Sequence, residues 1–231
     1  QGQRVVVTGD YKRHPDRTAQ PFELVPCDLL VTEATFGLPV FQHPEPEVEI
    51  ARLLRSLRDS ADRSHVIGCY ALGKAQRVIS LLRGAGYDAP IYLHGAMVRL
   101  CELYEERGVP LGELRLAIDA PKSELEGAVV IAPPSALKDR WSRRLADPVL
   151  AFASGWMSIK QRARQSLVEL PLVISDHVDW NELRQTIAET GANTVWVTHG
   201  REDALVYYCR QQGLTAEPLN IQGFEDNGEE E

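Results

Sequence analysis

The chain lacks several features that would have settled its class at once. No apolar run of about 18 residues, the length a membrane helix needs, occurs in it. Neither a secretory leader, an internal repeat nor a low-complexity linker is visible, so the cytoplasm is the expected location. Cysteine is scarce: four in 231 residues, at 27, 69, 101 and 209, none in a C-x-x-C pair. That spacing argues against a zinc knuckle. Cys69 and Cys101 sit among apolar residues and read as buried thiols of a reducing compartment. Positive charge is in deficit, with 25 Lys+Arg against 33 Asp+Glu and a net charge of −8. No overall basic field therefore advertises nucleic acid. The basic residues cluster instead, in "RWSRR" (140–144) and "KQRARQ" (160–165), while the terminal "FEDNGEEE" concentrates acid and reads as a disordered tail.

What is present is ordinary globular composition, 44% hydrophobic and 25% charged, in a length that suits one large or two small domains. Strand and helix patterns alternate. "RVVVTG" (4–9), "CDLLVTEAT" (27–35), "HVIGCYA" (65–71), "PIYLHG" (90–95), "ELRLAI" (113–118), "GAVVIAPP" (127–134), "VLAFASGW" (149–156), "LPLVISD" (170–176) and "NTVWVTHG" (193–200) are short apolar runs of strand type. "AEPLN" (216–220) is a candidate edge strand. Helical spacing marks 46–63, 73–86, 96–108, 135–147, 180–191 and 202–213, several closed by glycine. Such alternation with short loops means α/β layers with mostly parallel strands.

In parallel sheets ligands gather beyond the carboxyl ends of strands. Asp10, Glu33, His177 and His199 all fall at such ends, the two histidines on what read as neighbouring strands. Each also has a plain structural reading. Asp10 fits a turn, and Glu33 a surface loop. The segment "SDHVDWNEL" fits a helix start with Asp179 as cap and Glu182 closing a capping box. "THG" fits a simple strand-to-helix connection. Lys12, close behind Asp10, is a candidate phosphate contact. Ser154 and Gly155, after "VLAFA", form a turn whose N–H groups suit a phosphate or simply a tight bend. His94, also behind a strand, reads as structural or as lying at the substrate's edge. His14, His43 and His65 read as solvated loop histidines.

"GCYALGKA" (68–75) matches G-x-x-x-x-G-K between a strand and a helix, where a phosphate-binding loop belongs. Ala75 stands where the Mg²⁺-ligating hydroxyl is needed. A P-loop nucleotide-binding protein is thus the alternative reading, with Lys74 its test residue; Lys74 is otherwise a candidate contact to nucleic-acid phosphate.

Taken together, "VVVTGDYKR", "LVTEATFG", "LVISDHVDW" and "VWVTHG", with "ALGKAQRVISLL" and "LAFASGWM" between them, resemble in order and spacing the metallo-β-lactamase-fold nucleases that carry a β-CASP insertion. The nearest subgroup is the bacterial DNA ligase-associated exonucleases. The resemblance implies the C-terminal half of a metallo-β-lactamase αββα sandwich with an inserted β-CASP α/β cap. Residues 1–40 and 168–231 would form the sandwich part and 41–167 the cap, with substrate in the cleft between them. It implies metal-dependent hydrolysis of DNA or RNA phosphodiesters. In that scheme Asp10 bridges two zinc ions, His199 is the last metal ligand, His177 protonates the leaving oxygen, and Glu33 orients His177. DNA ligase or other repair proteins are the implied partners, with no membrane role.

The chain departs from the family in having no His-x-His-x-Asp-His string, the main source of metal ligands. Its opening residues enter a strand almost at once, without a methionine. The expectation is therefore a carboxyl-terminal portion of a larger enzyme. A chain that had lost the motif would instead be a non-catalytic nucleic-acid-binding fragment.

Overall fold

The computed structural model describes residues 2–139, 141–142 and 145–219. The acidic "FEDNGEEE" and three arginines of "RWSRR" lie outside the described residues. In chain order come β1 (Val5–Val7), β2 (Leu29–Ala34), α1 (Pro46–Asp59), β3 (His65–Gly68), α2 (Lys74–Gly84), β4 (Ile91–Leu93) and α3 (Gly95–Glu106). There follow β5 (Leu114–Leu116), α4 (Lys122–Leu125), β6 (Val129–Ala132), β7 (Val149–Ala153), α5 (Lys160–Gln165) and β8 (Leu170–Leu172). The last are α6 (Trp180–Thr190), β9 (Thr194–Gly200), α7 (Glu202–Gln211) and β10 (Thr215–Pro218).

These elements fall into two compact units. Among the described residues, one takes 2–13, 23–42 and 177–219; the other takes 14–22 and 43–176. The first holds a four-stranded sheet in the order β1-β2-β9-β10 and the second a six-stranded sheet in the order β5-β4-β6-β3-β7-β8. Every strand pairing in both is parallel.

In the six-stranded unit β3, β4 and β6 are buried on both faces, as the inner strands of a covered parallel sheet require. Successive side chains alternate between two cores. Ile67, Ile91, Leu93, Val129 and Ile131 pack with α1, α2 and α3, while Val66, Tyr92, Val130 and Ala132 join a second cluster with Leu125 and Leu137. Helix α1 begins with Pro46 at its first turn and carries Glu47 and Glu49 there, where a carboxylate meets the positive end of the helix dipole.

The four-stranded unit has its core on one face. Leu30, Val195, Val197 and Ala216 pack against Leu183 and Ile187 of α6 and Leu205, Val206 and Cys209 of α7. Each fully buried aliphatic side chain of this kind contributes about 1.5–3 kcal/mol. On the opposite face Val5 and Val7 of β1 are exposed, Val7 by 70%. Helix α6 opens with Asp179 accepting from the Glu182 N–H while the Glu182 side chain answers the Asp179 N–H. It closes on Gly191, whose φ of 67° is left-handed.

Some expectations shift. The divide expected between residues 167 and 168 falls between 176 and 177, because β8 pairs with β7 at the edge of the six-stranded sheet. His177 and His199 therefore do not follow neighbouring strands of one sheet. Segment 14–22 also belongs to the six-stranded unit. The helix expected from Ser135 is, among the described residues, a single 3₁₀ turn, Pro134–Leu137, entered from Pro133. His65 is not a solvated loop histidine. It lies in β3, fully buried, with Nε2 2.8 Å from Ser56 Oγ and Nδ1 3.1 Å from the Arg63 carbonyl. Burial lowers its pKa.

Candidate functional site

The four-stranded unit gathers three of the four strand-end residues. One ligand-type atom each of Asp10, Glu33 and His177 lies within 4.8 Å of the others. Glu33 is the next-to-last residue of β2 and is only 2% exposed. A buried carboxylate needs partners for its charge, and both oxygens have one. Oε1 accepts the Tyr11 backbone N–H at 2.8 Å, and Oε2 lies 2.8 Å from His177 Nδ1. A carboxylate can only accept, so the proton between them sits on Nδ1. This fixes the imidazole tautomer and leaves proton chemistry to Nε2.

Several contacts hold the ring in that orientation. Thr35 Oγ1 stands 3.3 Å from Nδ1. The Phe36 ring meets the imidazole edge-on, with centroids 6.0 Å apart. The backbone that follows it is anchored as well. Val178 N–H donates to the Tyr11 carbonyl at 2.8 Å and Trp180 N–H to the Phe41 carbonyl at 3.1 Å. The capping box of α6 follows directly. The helix-start reading of "SDHVDWNEL" and the proton-transfer reading of His177 thus occupy the same few residues without conflict. Sequence reasoning had no signal for the Tyr11 N–H or for Thr35, because both act through a fold that brings distant segments together.

His199 is placed differently. It lies within β9 as the extra residue of a bulge, since Glu33 pairs with Thr198 and Ala34 with Gly200. Its φ is 59°, a left-handed conformation that histidine adopts more readily than most residues. Bulges of this kind re-aim a side chain at a sheet end. Gly200 follows at φ 117°, where a Cβ would collide with the Ala34 carbonyl, so glycine is required there. His199 is exposed and is not one of the three residues in the close group. Asp10, also exposed, follows the left-handed Gly9.

Asp10 and His199 offer donor types that zinc accepts. Zinc takes about three or four protein ligands. Glu33 is committed to Tyr11 and His177, so it orients rather than ligates. The donor set is thus of the right kind but short in number among the described residues. A second group, His14 with Glu45 and Glu47, has the same separation but exposed carboxylates.

In the six-stranded unit, Lys74 opens α2 as the P-loop reading requires, but its ammonium points inward. It is 4% exposed, donates to the Ile174 carbonyl at 2.7 Å and pairs with Asp176 at 3.0 Å. Burial brings its pKa down to about 8. Arg77, one turn on, pairs with the same Asp176 at 3.0 Å and with Asp16 at 3.6 Å, and also donates to the Ser175 carbonyl. An ammonium so engaged ties α2 to residues 174–176 and is not presented to a nucleotide or nucleic-acid phosphate. Ser154 Oγ accepts the Trp156 N–H at 3.3 Å, capping a 3₁₀ turn that begins at the buried Gly155. That donor is used internally, as in the plain bend reading. His94 Nδ1 accepts the Ala96 N–H at 3.1 Å and caps α3. Lys12 is half-buried beside Asp10 in the chain.

No family model matches the chain. It is 26% identical over 218 residues to a protein named "Probable DNA ligase" from Opitutus terrae, a match covering 92% of this chain and 21% of that protein. It is 32% identical over 111 residues to "Endoribonuclease ysh1" from Aspergillus fumigatus, covering 43% of this chain and 12% of that protein. The chain thus spans about a fifth or less of these relatives. A crystal structure of a protein of unknown function from Enterococcus faecalis V583 superposes with a TM-score of 0.54 at 15% identity, covering 96% of this chain and 57% of that one. That likeness concerns the fold alone.

Proposed function

We propose that this chain supplies the proton donor, its orienting carboxylate and part of the metal-ligand set of a phosphodiester-hydrolysing centre of the metallo-β-lactamase/β-CASP type. The observation that carries the reading is the 2.8 Å bond from His177 Nδ1 to the buried Glu33 carboxylate. Glu33 holds the imidazole in one tautomer. His177 Nε2 then delivers a proton to the alkoxide oxygen as the P–O bond breaks. A histidine with an ordinary pKa of about 6.5 suits that transfer at neutral pH. Asp10 and His199 are the residues that would hold zinc, which when bound supplies a Lewis acid for the phosphate and an activated water.

Two names among the relatives bear on the substrate. The match extending over 92% of the chain is to a protein named as a DNA ligase, and the endoribonuclease match covers 43%. We read the substrate as nucleic acid, with DNA ends prepared for ligation as the favoured context. No described helix is long and apolar enough to cross a membrane.

The test is His177→Ala in the protein as expressed from its gene, assayed on labelled single-stranded DNA and RNA. Cleavage should fall by about 10²–10⁴-fold with zinc content unchanged. Undiminished cleavage would remove His177 from the chemistry. Binding retained by a parent protein that cleaves neither polymer would favour a non-catalytic nucleic-acid-binding role.

A further inference from the structure

The stretch that leaves β1 in the four-stranded unit is bound far more tightly than a plain turn requires. Gly9 turns it at a left-handed φ of 58°, and Asp10 follows, exposed. Both backbone groups of Tyr11 are then used. Its N–H donates to Glu33 Oε1 and its carbonyl accepts the Val178 N–H, each at 2.8 Å. The first partner is the carboxylate that holds His177, and the second is the residue next to His177 in the chain. One residue thus grips the imidazole's acceptor and the backbone beside the imidazole.

The Tyr11 side chain keeps that backbone in place. Its ring packs against the core shared by α6 and α7. Its phenol oxygen is buried and faces Thr186 of α6 and Thr32 of β2, both themselves buried. Arg13 fastens the same stretch to the same helix, donating to Thr186 Oγ1 at 3.1 Å and pairing with Glu189. Thr186 in turn donates to the Glu182 carbonyl at 2.8 Å, and Glu182 closes the capping box at Asp179. The turn that carries Asp10 and the helix start that carries His177 therefore share one hydrogen-bonded network. Glu33 is only 2% exposed, so water is poorly placed to replace a lost Tyr11 N–H. A buried carboxylate oxygen left unanswered is costly. The carboxyl would turn toward another donor and carry Oε2 away from His177 Nδ1.

We infer that Tyr11 is a positioning residue for the proton donor: its anchored ring sets the backbone that fixes Glu33 on one side and the residue after His177 on the other, and so keeps Asp10 and His177 in one frame. Its effect on rate rests on the role proposed above for His177. Its effect on the imidazole does not, and the test reads both.

The His177 tautomer is read by nitrogen-15 NMR of histidine-labelled, metal-free protein at pH about 8.5, well above the ordinary imidazole value. Its resonances are assigned by their absence in His177→Gln. The parent should show the Nδ1–H form. Tyr11→Leu keeps apolar volume but loses the ring and phenol. It should move His177 toward the mixed tautomers of a free imidazole, with kcat lower by about 10–100-fold and KM unchanged. Tyr11→Phe, which keeps the ring, should retain the Nδ1–H form and most of the rate. Leu205→Ala opens the same core from α7; it should lower the melting temperature and leave the tautomer alone. Should Tyr11→Leu not fold, Arg13→Met removes the tie to α6 while sparing the core, and should give the same tautomer change to a smaller degree. An Nδ1–H form unchanged in Tyr11→Leu and Arg13→Met overturns the inference. So does an equal mixture in Leu205→Ala, because loosened packing alone would then account for it. Normal cleavage on loss of His177, with the tautomer change present in Tyr11→Leu, would strike only the catalytic reading and leave the positioning role standing.

Discussion

The two units are built from the same all-parallel alternation, yet they bury charge to different ends. Glu33 in one and Glu49 in the other are nearly inaccessible glutamates, and each accepts one backbone N–H, from Tyr11 and from Val173, both at 2.8 Å. What differs is the second partner. Glu49 takes Arg52 at 2.6 Å, a permanent cation, so the arrangement has one protonation state and only structural consequences. Glu33 takes His177, whose side chain is 27% exposed and whose imidazole, unlike a guanidinium, can both take up and release a proton. A buried carboxylate closed off by arginine ties elements together. One that reaches solvent through an imidazole is placed to move a proton. Lys74, Arg77, Asp16 and Asp176 extend the first pattern through the six-stranded unit.

The comparison breaks most visibly at Arg77. Arg77→Met removes the cation shared by Asp16 and Asp176 and leaves buried carboxylate behind, at a cost of about 3–5 kcal/mol. Hydrogen exchange at α2 and β3 should speed accordingly, while β2 and β9 amides keep their protection. A loss of protection spread evenly over both sheets would contradict the separation into units. The glutamates sharpen the contrast at smaller magnitude. If the proposed cleavage is correct, Glu33→Gln should lower its rate about 10–100-fold with little change in unfolding. Glu49→Gln should cost about 1–3 kcal/mol of stability and leave the rate per folded molecule alone. Equal effects of the two on the rate would end the distinction.

Acid provides the mildest probe. Asp176 is half-buried, and that desolvation by itself would raise its pKa, but Lys74 and Arg77 together hold it below the usual carboxylate value. A carboxyl whose folded pKa is depressed binds fewer protons folded than unfolded. Its stabilisation is complete above the ordinary value of about 3.9 and is lost as pH falls through the folded pKa. The six-stranded unit should therefore weaken below about pH 4. Asp176→Asn, already weakened at neutral pH, should lose less over that interval.

The alternation of strands and helices was legible because parallel strands buried on both faces leave continuous apolar runs, as in "AVVIA" and "HVIG". The helix start at Asp179 was legible too, since a capping box is local chemistry. The site was legible only as separate strand ends. Sheet membership of "LPL" was not, because a short apolar run reads the same in either sheet and only pairing with β7 decides it. Lys74 shows the converse. Its motif is local and points to phosphate, but direction is a tertiary matter, and the Ile174 carbonyl and Asp176 turn it inward. His65 looked solvated for a related reason, its burial in β3 and its Ser56 partner on α1 being supplied by packing.

Composition, periodicity and capping chemistry depend on residues close together along the chain, so most element types, the α/β class with parallel strands and the residue types offered at strand ends were legible in the sequence alone. Whether Lys74 meets Asp176, and whether the His177 imidazole faces Glu33 or bulk water, depend on segments more than a hundred residues apart. The Glu33–His177 bond, the left-handed bulge at His199 and the inward turn of Lys74 were decided only when the sheets closed, because burial makes an unanswered charge costly and so selects its partner.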